Sequence, residues 1–158
     1  MMTVAAIVAK LVLFLMNLAQ EQMAMLTIFV NLFVILIGSF FIVRDYKINH
    51  PGSNVKSEVK AGMKGTTIFA LMLSLFVLIY YNYIDTHYFP NMIADRVELA
   101  RAAMAENPDI SLENVRKTGE MMFSPRTHAT LTLFGLTAVG SVYCFLIAIL
   151  MRRLPGFK

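Results

Sequence analysis

The feature that most constrains this chain is a run of 25 residues, Thr127 to Met151, that contains no Asp, Glu, Lys or Arg. About 20 apolar residues in a helix are enough to cross the roughly 30 Å hydrocarbon core of a bilayer. Gln22 to Val43 and Gly65 to Ile84 pass the same test, and Thr3 to Gln20 passes if Lys10 is tolerated. The sequence therefore predicts an integral membrane protein built mostly of spanning helices.

The composition agrees with this class, because 58% of the 158 residues are hydrophobic and only 15% are charged. No segment outside the spans is large enough for a separate soluble core, so we expect a single integral-membrane domain over residues 1–158. The net charge of +4 is explained by membrane orientation and favours anionic lipid head groups, not nucleic acid. The lone cysteine, Cys144, has no internal disulfide partner and fits a small packing residue.

The predicted fold is an all-α membrane protein with four transmembrane helices and an amphipathic two-helix loop between helices 3 and 4. The first helix is marginal, because nine Leu, Ile, Val and Phe residues favour insertion by roughly 3–5 kcal/mol while a central Lys costs about 2.5–3.5 kcal/mol. We therefore expect helix 1 to insert only as a hairpin with helix 2. The predicted spans cover about residues 3–19, 23–43, 65–84 and 126–151, with an extracytoplasmic loop at 85–125.

Two segments outside the spans have helical patterns of their own. Residues 55–64 predict a short amphipathic helix on the membrane surface, because Val55, Val59 and Met63 recur beside lysines. In the long loop, one predicted helix precedes a break at Asn107-Pro108-Asp109, and a second begins at Ser111 as its N-cap. Ser124-Pro125 predicts the start of helix 4. The apolar stripes of the loop helices are Phe89, Ile93, Val97, Ala100 and Met104, then Leu112, Val115, Gly119 and Met122.

The Lys and Arg residues predict the orientation. The 44–65 loop and the 152–158 tail hold eight of them in 29 residues, whereas the 85–127 loop holds five in 43 residues together with seven acids. By the positive-inside rule the first two segments are cytoplasmic. Four spans then place both termini inside, with the long loop on the far side.

The second half of the chain resembles a known family. The pattern consists of the Tyr80–Asp85 segment, an acidic amphipathic helix, a Pro-Asp-Ile-Ser-Leu-Glu restart, a Met-Met-Phe-Ser-Pro junction at 121–125 and a last span that contains glycine. The approach to helix 3, residues 60–65, is similar as well. These features resemble the small four-span membrane proteins catalogued as domain of unknown function 4199, which are typical of Bacteroidota. The resemblance implies a four-helix inner-membrane protein and implies no activity.

Few polar groups lie in or near the spans, and each has a simple structural explanation. Lys10 either reaches toward the nearer membrane surface or pairs with a partner, and we expect the first because no acid lies mid-membrane. Asp85, His87 and His128 could gather at one membrane surface, but their spacing matches no known metal motif. Asn17 and Asn31 could pair across the first hairpin.

Small residues predict close helix packing at Gly38-Ser39, Gly135, Gly140-Ser141 and Cys144. The sequence contains no phosphate loop, paired zinc ligands, nucleophile elbow or dinucleotide fingerprint. We therefore predict no catalytic, cofactor-binding or metal-binding residues and no cofactor.

The predicted function is that of a non-catalytic accessory or scaffold subunit of the membrane. Its partners would be the lipid bilayer and other membrane-protein subunits, or further copies of this chain, and not nucleic acid. The alternative is a small oligomeric transporter or channel, which would need a row of polar residues along one helix face. A lipid-modifying enzyme is a third possibility, for which Asp85 and His128 are the weak candidates.

Overall fold

A computed structural model of the chain describes residues 2–16, 20–104 and 111–153. Those residues form helices joined by short turns, with no β-strand among them. The predicted all-α class is therefore confirmed. The helices are α1 (Met2–Leu15), α2 (Gln20–Asn49), α3 (Val55–Tyr83), α4 (Tyr88–Ala103), α5 (Leu112–Met122) and α6 (Pro125–Arg153).

Three helices, not clearly four, are long and apolar enough to cross a membrane. They are Ala24–Asn49 within α2, the whole of α3 and the whole of α6. The helix α1 has 14 residues and is about 21 Å long at 1.5 Å per residue, short of the roughly 30 Å hydrocarbon core. The prediction of a span over 3–19 is thus corrected at its end, because the helix stops at Leu15 and Met16 is already a turn. Residues 17–19 lie outside the described part of the chain.

The chain divides into two compact units. The first comprises Met1–Ser74 and Thr132–Lys158, and the second comprises Leu75–Leu131. The first unit contains α1, α2, the beginning of α3 and most of α6. The second contains the end of α3, both loop helices and the beginning of α6.

In the first unit, α1 and α2 form an antiparallel hairpin. Lys10 of α1 lies opposite Thr27, and Met2 lies so close to Gly38 that a β-carbon there would overlap its side chain. The start of α1 is therefore level with Gly38, about 9 Å along the axis before Arg44. Helix α1 thus approaches the basic end of α2 without reaching it. The expected hairpin is present although its first helix is short.

The first unit buries polar side chains and exposes apolar ones. Thr3, Lys10, Ser39 and Thr66 are all buried. Large apolar side chains instead face outward, for example on α1 at Val4, Val8, Val12 and Leu15. A water-soluble domain rarely exposes so much apolar surface. The pattern fits helices surrounded by lipid and packed through small and hydroxyl residues.

Glycines allow the helices of the first unit to approach closely. A β-carbon at Gly140 would lie 2.8 Å from the β-carbon of Thr66 and 2.9 Å from Cδ1 of Ile35. A β-carbon at Gly62 would lie 2.6 Å from Sγ of Cys144. The predicted packing roles of Gly38, Gly140 and Cys144 are therefore confirmed. At Gly135 a β-carbon would meet nothing within 4 Å, so no described residue of this chain packs there and the predicted close approach stays a prediction for a second chain.

The connection between α2 and α3 is shorter than predicted. Helix α2 continues to Asn49, and a turn through Gly52, whose φ is +83°, leads to α3. Asn54 caps α3, because its Oδ1 accepts a hydrogen bond from the Ser57 N–H at 2.9 Å. Since α3 is one continuous helix from Val55, the predicted separate surface helix over 55–64 is wrong. Those residues are the first turns of the long helix, so they cannot lie flat while the rest crosses.

The second unit contains the two predicted loop helices. Ser111 caps α5, with its Oγ accepting from Asn114 N–H at 3.3 Å, and Ser124 caps α6, accepting from Thr127 N–H at 3.2 Å. Gly119 of α5 packs on Ile93 of α4, where a β-carbon would lie 3.4 Å from Cγ2 of Ile93. Both stripes face inward except for Met122, which is exposed. The predicted break at 107–109 lies outside the described residues.

Candidate functional site

A buried acid at the lysine-rich end of the first unit was not recognised in the sequence. Glu58, in the first turn of α3, is 0% exposed. Its Oε1 accepts hydrogen bonds from Nη2 of Arg152 at 2.9 Å and from Oγ of Ser53 at 2.8 Å. Nη2 of Arg152 also donates to the Ser53 carbonyl at 2.6 Å. The ion pair therefore fastens the last turn of α6 to the beginning of α3.

A periodic signal could have revealed this acid. The buried face of α3 includes Ala70, Thr66 and Gly62 at four-residue spacing, and the next position toward the N-terminus is Glu58. Side chains three or four residues apart lie on the same helix face. The apolar and lysine positions of 55–64 alone do not indicate a buried acid, so Glu58 was not among the residues predicted from the sequence.

Beside the ion pair lies a cluster of buried apolar side chains. Val43 of α2 packs there with residues from the last turns of α6, and side chains from the start of α3 cover it. The apolar side chains and the Glu58 carboxylate are thus buried at the same end of the first unit. The cluster contains Val43, Cys144, Ile147, Ala148 and Met151, with Val55, Val59 and Tyr143 packed against it.

Lys10 is buried and bonded within the first unit. The residue is 6% exposed, and its Nζ donates to Oγ1 of Thr27 at 3.5 Å. The stem of Lys10 is therefore enclosed by the α1–α2 hairpin, and the expectation that its amine reaches toward the nearer membrane surface stays a prediction. Packing of α1 against α2 keeps the amine between the helices, where a hydroxyl can accept from it.

Aromatic side chains form the centre of the second unit. Tyr81 of α3 lies 4.9 Å from Tyr88 and 4.8 Å from Phe89 of α4, measured between ring centroids. The ring of His128, on α6, meets the Tyr81 ring edge-on at 5.3 Å. Tyr80 completes the cluster at 4.9 Å from Tyr81. These rings hold the end of α3, the start of α4 and the start of α6 together.

The Asp85 carboxylate interacts with two tyrosine hydroxyls of this aromatic cluster. The Tyr80 hydroxyl donates to Oδ2 of Asp85 at 3.4 Å. Burial raises the pKa of the Tyr88 phenol, and the negative charge of Asp85 raises that pKa further, while a hydrogen bond from Tyr81 lowers it. The neutral form of the Tyr88 phenol therefore persists to a higher pH than that of an exposed tyrosine.

The structure does not assemble Asp85, His87 and His128 into a metal site. His87 is exposed, His128 is enclosed by aromatic rings, and Asp85 accepts the Tyr80 hydroxyl. Within residues 2–16, 20–104 and 111–153, no three His, Cys, Asp or Glu side chains could hold a metal ion together. Asn31 is half-buried, and its proposed partner Asn17 lies outside the described residues.

The outer faces of α4 and α5 combine charged side chains with a few exposed apolar ones. Leu99 is exposed on α4, and Met121 and Met122 are exposed at the end of α5. Salt bridges of 2.9 Å join Arg116 to Glu120 and Lys117 to Glu113 on α5. The loop helices thus present a charged surface with apolar side chains at two places.

A comparison with known protein families now identifies the chain's relatives. The model of the family described as "Protein of unknown function (DUF4199)" matches residues 1–153. The chain belongs to the DUF4199 family. No curated protein and no solved structure matches it. Membership in DUF4199 confirms the resemblance seen in the sequence and brings no activity with it.

Proposed function

We propose that this DUF4199 protein is a non-catalytic accessory or scaffold subunit that packs against other proteins in the bacterial inner membrane. The observation that carries the proposal is the exposure of Leu99, Met121 and Met122 on helices outside the long apolar segments. Methionine is flexible and polarizable and adapts to varied partner surfaces. A partner that covers these side chains would remove them from water.

The interior of the first unit favours packing over transport. Ser39 Oγ donates to its own helix at the Ile35 carbonyl, 2.6 Å away, and Thr66 Oγ1 donates to the Met63 carbonyl at 3.2 Å. Hydroxyls bonded within their own helices are typical of helix packing in membranes. Lys10 is likewise bonded to Thr27. These groups lie between packed helices, so we retain the transporter or channel only as the oligomeric alternative.

We also propose the orientation that the charges predict, with the turn between α2 and α3 and the end of α6 in the cytoplasm. The direction of α1, whose start is level with Gly38 near the basic end of α2, supports an N-terminus on the same side. Three long helices and one shorter hairpin helix are compatible with this arrangement.

Site-specific photocrosslinking in native membranes tests the scaffold proposal. A photoreactive phenylalanine analogue replaces Leu99 or Met121, and Glu113, exposed and charged, serves as the matched control position on the same loop. We expect adducts of one discrete protein mass from the first two positions and none from the control. Lipid adducts alone would contradict docking to a protein, and adducts of twice the chain mass would favour the oligomeric alternative.

A further inference from the structure

The outer face of the first turns of α3 forms a groove with a volume of about 950 Å³. Its floor is apolar and includes Val59, Met63 and Ile68 of α3 and Phe145 of α6. All of its residues belong to the first unit. Lys56, Lys60 and Lys64 border the groove and are exposed.

The three lysines stand in one row along the helix. They recur every four residues, so they lie on one face and span about 12 Å along the axis. Lys64 directly precedes the uncharged stretch that begins at Gly65. That stretch reaches Tyr83, a length of about 28 Å at 1.5 Å per residue, which matches the hydrocarbon core. The lysines therefore lie where lipid head groups are, and Ile68 and Phe145 lie where acyl chains begin.

The acid nearest to these lysines in the chain does not neutralise them. Glu58 is buried on another face of α3 and is paired with Arg152. No ion pair joins Lys56, Lys60 or Lys64 to a carboxylate among the described residues. The groove thus combines an apolar floor with an uncompensated positive border.

We propose that this groove binds one anionic phospholipid. The lysine row holds the phosphate head group through charge-assisted hydrogen bonds. One acyl chain lies along the apolar floor past Ile68 and Phe145. Charge selects an anionic lipid over a zwitterionic one, and the floor retains the lipid after the surrounding bilayer is removed.

Native mass spectrometry of the full chain, purified in mild detergent with dioleoylphosphatidylglycerol or dioleoylphosphatidylcholine, tests the proposal. We expect one phosphatidylglycerol molecule per chain and at least tenfold weaker retention of phosphatidylcholine. Exchange of all three lysines for glutamine should weaken phosphatidylglycerol binding by roughly 100-fold, since each surface lysine contributes about 1 kcal/mol. The matched control exchanges Arg44, Lys47 and Arg153 for glutamine and removes the same charge elsewhere at this end of the unit. Equal losses in the two triple variants would overturn the proposal.

A second variant separates a groove from a merely basic surface. Thr67→Trp fills the groove and leaves all three lysines in place, whereas Ile28→Trp adds the same ring at an exposed position on α2. We expect Thr67→Trp to lose the lipid and Ile28→Trp to keep it. This pair also gives an answer if the lysine variant fails to fold. Retention of phosphatidylglycerol by Thr67→Trp would contradict the lipid site. Displacement of phosphatidylglycerol by glycerol 3-phosphate alone would contradict it as well. A dimer that forms without lipid and is lost in Thr67→Trp would also contradict it.

Discussion

The ion pair between Glu58 and Arg152 predicts that its two partners are not equivalent. The Glu58 side chain is 0% exposed, whereas the Arg152 side chain is 38% exposed. Arg152→Met leaves a fully buried carboxylate without its counter-charge, and removal of one partner of a buried pair costs about 3–5 kcal/mol. In Glu58→Gln, the guanidinium keeps contact with water and with the Ser53 carbonyl. We expect that change to cost only about 1.5–3 kcal/mol, the range for a hydrogen bond to a charged group.

Denaturation by sodium dodecyl sulfate in mixed micelles, followed by circular dichroism, measures both variants. The double variant Glu58→Leu with Arg152→Met should recover most of the loss, because well-packed apolar residues often replace a buried ion pair without cost. Arg153→Met is the control, since it removes a neighbouring exposed charge. A loss in Glu58→Gln equal to or larger than that in Arg152→Met would refute the reasoning.

Three further predictions concern other parts of the structure. Gly140→Leu should destabilise the protein by about 1–3 kcal/mol or more through overpacking, while Gly135→Leu should be tolerated; equal melting temperatures would contradict this. Lys10→Leu should improve membrane insertion in a translocon reporter assay by up to about 3 kcal/mol, whereas the control Val8→Leu should not. Unchanged insertion with altered native-gel migration would instead indicate that the Lys10 amine binds a partner subunit. The folded-state pKa of Tyr88 is raised above the ordinary tyrosine value of 10.0, so the stability that its neutral phenol contributes is present below pH 10 and is lost as the pH rises through the folded pKa. Tyr88→Phe should therefore unfold less readily at alkaline pH than the wild type, and an identical profile would contradict this.

The sequence predicted the elements that depend on local chemistry. Uncharged runs marked α2, α3 and α6 because bilayer thickness sets their length. Ser111 and Ser124 marked helix starts because a side-chain oxygen there satisfies a free backbone N–H. The spacing of apolar residues placed Ile93 and Gly119 on inner faces. None of these features requires knowledge of which helix packs against which.

The features that were missed depend on distant residues. Arg152 reaches Glu58 across a separation of 94 residues, so the spacing along α3 could indicate a buried Glu58 but not its partner. Gly135 and Gly140 are both glycines of α6, but only Gly140 faces Thr66. The burial of Lys10 likewise depends on the position of Thr27 in α2. Helix α1 was predicted too long because hydropathy alone does not give the place where the chain turns.

The central proposal is that the long helix α3 crosses the membrane, with the turn at residues 50–54 before it and the loop helices after it on opposite sides. Single cysteines at Asn54 and Glu113, in a Cys144→Ala background, can be labelled in intact cells with a membrane-impermeant maleimide. We expect the cysteine at 113 to react in intact cells and the one at 54 to react only after the membrane is opened. Labelling of both positions in intact cells, or of neither, would contradict it.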